Sequence, residues 1–169
     1  MKQLVEIVAV LVLVAGCSSD GGGNKVLQDF GLQERPEDYV SGTDEVLARL
    51  KDVGATELDR LNRDDRDGDI LYDDTDELHG KYYKTVKIYD RFYTVDANST
   101  GKNSFNDQRG YVGYIEYVYE LHESPRKNSR AEAIAELATI PSGEDGRETY
   151  RYRFDSSGSW NGANGELVR

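Results

Sequence analysis

One cysteine, three prolines and two histidines in 169 residues place several kinds of protein out of reach. A lone Cys17 cannot close an intrachain disulfide, so a disulfide-stapled scaffold is excluded and stability has to come from packing. Two histidines, His79 and His122, stand in no metal or triad spacing. Long hydrophobic runs are missing too: the longest, Leu4 to Gly16, covers 13 residues with Glu6 inside it, and a bilayer-crossing helix needs about 20. Positive charge is short, 21 Lys and Arg against 32 Asp and Glu, for a net charge of -11. Nucleic-acid binding requires basic side chains to neutralise phosphates, so that class is set aside. Catalytic signatures are also wanting: there is no Gly-x-Ser-x-Gly, no His-Glu-x-x-His, no phosphate-cradling glycine loop and no Cys-x-x-Cys.

What is present begins at the N-terminus. Lys2, the apolar run Ile7 to Val14 and the small pair Ala15-Gly16 follow the order of a secretory signal. The string Val14-Ala15-Gly16-Cys17 resembles the lipobox of bacterial lipoproteins. That resemblance implies cleavage before Cys17, a diacylglyceryl group on its thiol and acylation of the new amino terminus with a fatty acid such as palmitate. One acyl chain binds a membrane only marginally, whereas two or three make a lasting anchor. The expected organisation is a signal peptide over 1–16, a tether over 17–25 and one domain over 26–169. The tether reads Cys-Ser-Ser-Asp-Gly-Gly-Gly-Asn from Cys17, a flexible composition reaching about 15 Å over eight residues. In lipoproteins of the enterobacterial type an aspartate directly after the cysteine retains the protein at the inner membrane. Ser18 stands there instead, so the resemblance favours the outer membrane, facing the periplasm.

Acidity is concentrated early. Residues 25–80 carry 17 acidic and 7 basic side chains, and residues 81–169 carry 13 of each. Val26 to Gly42 lacks periodicity and reads as an extended lead-in segment. From Thr43, Val46, Leu47, Leu50, Val53, Leu58 and Leu61 recur at three and four, which predicts one helix of about 20 residues with Ser41 or Thr43 as its cap. Gly54 lies on the apolar face, as a close-packing point or as a stop between two shorter helices; the unbroken register favours the first. Residues 64–77 then hold eight carboxylates against one arginine. Asp65, Asp67, Asp69 and Asp73, with Gly68 among them, are the candidate ligands for Ca²⁺, which takes six to eight oxygens. EF-hand spacing fails, because Gly68 at the sixth loop position puts Arg63 at the first. A solvated acidic loop is the preferred reading of this stretch.

The second half predicts a sheet. Tyr82 to Val95, Tyr111 to Glu123 and Glu148 to Phe154 are rich in Tyr, Val, Ile and Phe. Tyr111, Ile115, Tyr117, Tyr119 and Leu121 fall on one face of the middle strand, with Glu116, Glu120 and His122 opposite. Tyr150, Tyr152 and Phe154 alternate with Thr149, Arg151 and Arg153. In the first strand Val86, Ile88 and Phe92 share a face, Tyr83, Tyr89, Tyr93 and Val95 the other, and Asp90-Arg91 is a candidate bulge. Ser129-Arg130-Ala131-Glu132 predicts a capping box opening a short helix that stops before Pro141. Ten of the twelve tyrosines lie between Tyr82 and Tyr152, and a sheet core rimmed by hydroxyls is preferred to a carbohydrate- or peptide-binding platform. The predicted fold class is α+β, a long helix packed on a curved antiparallel sheet of three to five strands, similar in architecture to cystatin-like and NTF2-like domains.

Three functional expectations follow. The preferred one is a membrane-anchored envelope protein, held through Cys17, that binds a partner protein or cell-wall polysaccharide without catalysis. The second is a Ca²⁺-dependent module using residues 64–77. The third is a small-ligand pocket or hydrolase in an NTF2-like cone, although Glu116 and Glu120 lie about 13 Å apart by strand rise, too far for a glycosidase pair. Arg126, Lys127 and Arg130 form a basic run whose default reading is a solvated loop; the alternatives are docking on residues 64–77 or facing an anionic partner such as a polysaccharide.

Overall fold

A computed structural model describes residues 27–29, 31–34, 39–75, 80–100 and 110–169. The signal, Cys17 and the tether lie outside the described residues. The main helix, α1, runs Gly42–Asp64 and continues into a short 3₁₀ turn, Asp65–Asp67. Five strands follow, β1 (Asp69–Asp73), β2 (Lys81–Thr100), β3 (Gly110–Glu123), β4 (Ile140–Phe154) and β5 (Glu166–Leu167), with a short helix α2 (Arg130–Ala135) between β3 and β4. The sheet is an antiparallel meander in the order β1-β2-β3-β4-β5. Every strand therefore pairs with its chain neighbour, which short connections favour.

Helix α1 lies across β2 and β3. Val46, Leu50 and Val53 interlock with Ala97, Tyr111, Ile115, Tyr117, Tyr152 and Phe154, and Leu61 and Phe92 close the flank. Each fully buried aliphatic side chain of this kind stabilises by roughly 1.5–3 kcal/mol. Glycine permits the close approach. A Cβ at Gly54 would overlap the Phe92 ring, and one at Gly113 would stand 2.6 Å from Leu50 Cδ2. Gly54 is thus a packing point inside one helix, and the helix does not stop there.

The N-terminus of α1 has two caps. Ser41 Oγ accepts from Asp44 N at 3.1 Å, and the Asp29 carboxylate accepts from Gly42 N at 3.0 Å. Asp29 also accepts from the Tyr111 hydroxyl at 2.8 Å and from Tyr39. This clasp binds the chain ahead of α1 to the start of β3. Residues 27–29 form a helical turn, so that part of the expected extended segment is corrected: a turn brings Asp29 back onto the orphan amides of α1.

Three more sequence expectations change. Asp69–Asp73, read as loop, is the edge strand β1, paired with Lys81–Thr85; Ile70, Leu71 and Tyr72 carry the strand propensity there. The tail from Asp155, whose Gly158, Gly162 and Gly165 predict turns, carries the two-residue strand Glu166–Leu167. In β2 the register shifts between Tyr89 and Arg91, where Asp90-Arg91 predicts a bulge. One extra residue reverses the alternation, so Tyr89 and Phe92 share the helix-side face that strict alternation divides. Asn62 locks this point: its Nδ2 donates to Tyr89 O, and its Oδ1 accepts from Tyr89 N, both at 2.9 Å.

Candidate functional site

The acidic stretch is spread out in space. Asp65 caps the C-terminus of α1 and accepts from Lys87 N at 2.8 Å; burial pushes its carboxyl up, against the opposing pull of that bond and of the Lys87 charge. Asp67 is in the 3₁₀ turn, and Asp69 and Asp73 begin and end β1, about 13 Å apart by strand rise. Asp73 accepts from Thr75 Oγ1 at 2.6 Å and from Arg126 Nε at 3.1 Å, and these bonds lower its pKa to about 2. Among the described residues no group of three or more His, Cys, Asp or Glu side chains is arranged to hold a metal ion.

The basic run docks inside the molecule. Arg126 pairs with Asp73 and with Glu123 at 2.8 Å and stands over the Tyr83 ring at 4.3 Å. Lys127 pairs with Glu136 at 2.6 Å, and its backbone bridges Tyr82. Arg126 thus reaches the 64–77 stretch at Asp73, as the first alternative for this run expects, whereas Lys127 is held by Glu136, outside that stretch. Of the carboxylates on the open sheet face, Glu116 pairs with Arg147 at 2.9 Å and Glu120 lies 3.5 Å from His122.

Six tyrosines build the core. Tyr89, Tyr111, Tyr117 and Tyr152 are buried, and Tyr119 and Tyr150 pack against them. Tyr117 meets Tyr89 and Tyr150 edge to face, at 6.3 and 5.6 Å between ring centroids. The Tyr117 and Tyr152 hydroxyls share a hydrogen bond of 2.9 Å, and burial raises both pKa values.

Two polar clusters in this core are absent from the sequence reading. Glu148 on β4 accepts from Lys87 Nζ at 2.5 Å, Tyr89 hydroxyl at 2.6 Å and Tyr150 hydroxyl at 3.1 Å. Burial pulls Glu148 toward the neutral form, yet the Lys87 and Tyr89 bonds outweigh it and its pKa falls. Burial likewise opposes the Lys87 charge, and Glu148 more than restores it. Both partners are fixed in their charged forms, the reverse of what a proton-transferring pair needs near neutral pH. Glu57 is the second case. It is 2% exposed on the inner face of α1, pairs with Arg60 through Oε2, and its Oε1 has no partner among the described residues. Arg60 in turn donates to Gly162 O at 3.3 Å. Its signal is present in the sequence, because position 57 continues the apolar stripe 46, 50, 53 at helical spacing.

A cavity of about 240 Å³ opens where the β2 bulge meets an irregular turn of β4. Val118 and Tyr119 form an apolar lining, and Asp90, Glu120, Glu144 and Asp145 bring four carboxylates against the one guanidinium of Arg91. Comparisons with family models, with curated proteins and with solved structures each find no match.

Proposed function

We propose that this chain is a lipid-anchored cell-envelope protein whose domain is a non-catalytic binding or structural module for a partner protein or cell-wall polymer. The observation that carries the reading is Val14-Ala15-Gly16-Cys17, the chain's single thiol placed directly after an apolar run and directly before a Ser/Gly tether. Two features of the domain support it. The Lys87–Glu148 cluster holds its charges instead of exchanging them, and the helix side of the sheet is filled by Ile115, Tyr117 and Tyr152, which leaves an NTF2-like pocket little room. A curved, cystatin-like arrangement of the meander belongs to the same proposal, as does an outer-membrane location suggested by Ser18. Among the described residues no helix is long and apolar enough to cross a membrane.

The test is metabolic labelling with a clickable palmitate analogue, followed by membrane fractionation. The wild type takes up label and sediments with membranes, whereas Cys17→Ala takes up no label. An unlabelled, soluble wild type overturns the reading.

A further inference from the structure

Among the described residues, one short segment leaves three aliphatic side chains uncovered. Ile134, Leu137 and Ile140 are 53%, 75% and 47% exposed, in a stretch reading Ile-Ala-Glu-Leu-Ala-Thr-Ile. Only Ala133 just before it is buried, which anchors α2. Strand β4 starts at Ile140, opposite Glu123, and within five residues reaches Gly143, Glu144 and Asp145 of the acidic cavity. The aliphatic segment thus ends, at Ile140, three residues before Gly143 in the lining of the acidic cavity.

Around the cavity carboxylates outnumber cations: Asp90 is met at 3.5 Å by Arg91, the one guanidinium in the lining. Arg126 is held by Asp73 and Glu123, Lys127 by Glu136, and Arg147 by Glu116. Glu144 and Asp145 have no cationic partner among the described residues, and Glu120 has only His122. Each class of occupant meets a different obstacle or match. An anionic bilayer or polysaccharide is repelled by the carboxylates. Neutral sugars prefer aromatic platforms, and this stretch is aliphatic. A protein segment that sets a lysine or arginine beside apolar side chains matches both parts: its methylene stem lies on Val118 and Tyr119 while its charged head meets Glu120, Glu144 and Asp145.

We propose that the stretch Ile134–Ile140 and the acidic cavity together form the docking surface for a basic, apolar-centred segment of a partner protein. This deepens the binding-module reading of the domain and does not depend on lipidation, so it is tested on the chain carrying Cys17→Ala. The probes are two synthetic peptides, one alternating leucine with lysine and arginine, the other alternating leucine with glutamate, titrated calorimetrically at low and high salt and followed by backbone amide shifts.

The basic peptide is expected to bind, with shifts confined to 118–120 and 134–146 and affinity falling as salt rises. Leu137→Ser is expected to weaken it at least tenfold, and the double reversal Glu144→Lys with Asp145→Lys is expected to transfer the preference to the acidic peptide. Because all three side chains are exposed, these variants keep the fold, which amide dispersion verifies. Equal binding of both peptides, no binding, or binding unchanged by either variant overturns the proposal. So does a dimer abolished by Leu137→Ser, which would make a second copy the occupant. Binding of the Cys17→Ala chain to phosphatidylglycerol vesicles through this stretch would likewise assign it to a membrane and overturn the proposal.

Discussion

At the residue scale, the chain buries charge in two ways that differ in their consequences. Glu57 is nearly inaccessible and only half satisfied. Removing one member of a buried pair costs several kcal/mol because the other is left desolvated, whereas replacing both by apolar groups is often neutral. Glu57→Ala is therefore expected to lower stability by about 2–4 kcal/mol in urea unfolding, the lower end reflecting partial exposure of Arg60, while Glu57→Leu with Arg60→Leu stays near the wild type or exceeds it. Glu148 is satisfied three times over, and its value shows in acid. Its folded pKa lies below the ordinary 4.5, so the unfolded chain takes up the proton first as pH falls. The contribution is complete above pH 4.5 and lost as pH drops through the folded value. Glu148→Gln is expected to flatten the decline in melting temperature below pH 4.5. Lys87 behaves oppositely: its pKa is raised from 10.5, so its share is present below that pH and disappears as alkali titrates it in the folded state.

Elements in this fold are joined by small, local devices, each open to a single substitution. Gly54→Ala adds helix propensity of about 1 kcal/mol but drives a methyl into Phe92, an overpacking cost of about 1–3 kcal/mol. The net expectation is destabilisation by thermal melting, relieved when Phe92→Leu is added. Asn62→Ala leaves the Tyr89 amide and carbonyl unpaired at the β2 bulge and is expected to cost about 1–3 kcal/mol. The capping box Ser129–Glu132 closes as spaced in the sequence, and Ser129→Ala should cost about 1 kcal/mol.

These devices also explain what was legible beforehand. Period-3.6 and period-2 patterns locate α1 and the faces of β3 and β4, because one face of each supplies the shared core. They fail in β2, where the register shifts twice, at Tyr89/Arg91 and at Thr94/Asp96, and each shift exchanges the faces, and in β1, where aspartates at both ends disguise a three-residue apolar strand centre. Glu148 and its three donors meet across β2 and β4, which no local spacing records. The acidic cavity likewise needs two irregularities in separate strands to coincide.

On the scale of the whole molecule, acidity and basicity divide unevenly along the chain yet pair across it. Arg126, late in the sequence, reaches the acidic edge strand at Asp73, so that end of the sheet closes on itself. The opposite edge is left with β5, two residues long, against a 15-residue β4. Pro141, the positive φ of Gly143 and the irregular register near Glu120 interrupt the rest of that edge, which discourages chain-to-chain strand pairing. The domain is accordingly expected to remain monomeric at high concentration in light scattering, and substitution of Pro141 and Gly143 by valine to promote self-association.

The Asp29 clasp has a mechanical meaning. It fixes the chain to the helix cap and to Tyr111, at one end of the long strands, while Glu120 and Glu123 lie nine to twelve residues along β3. At about 3.4 Å per residue that is a separation of roughly 30–40 Å. Were the chain lipid-anchored as proposed, the clasp would set which end of the domain lies nearer the bilayer and which is presented away from it. Asp29→Ala would then loosen that orientation.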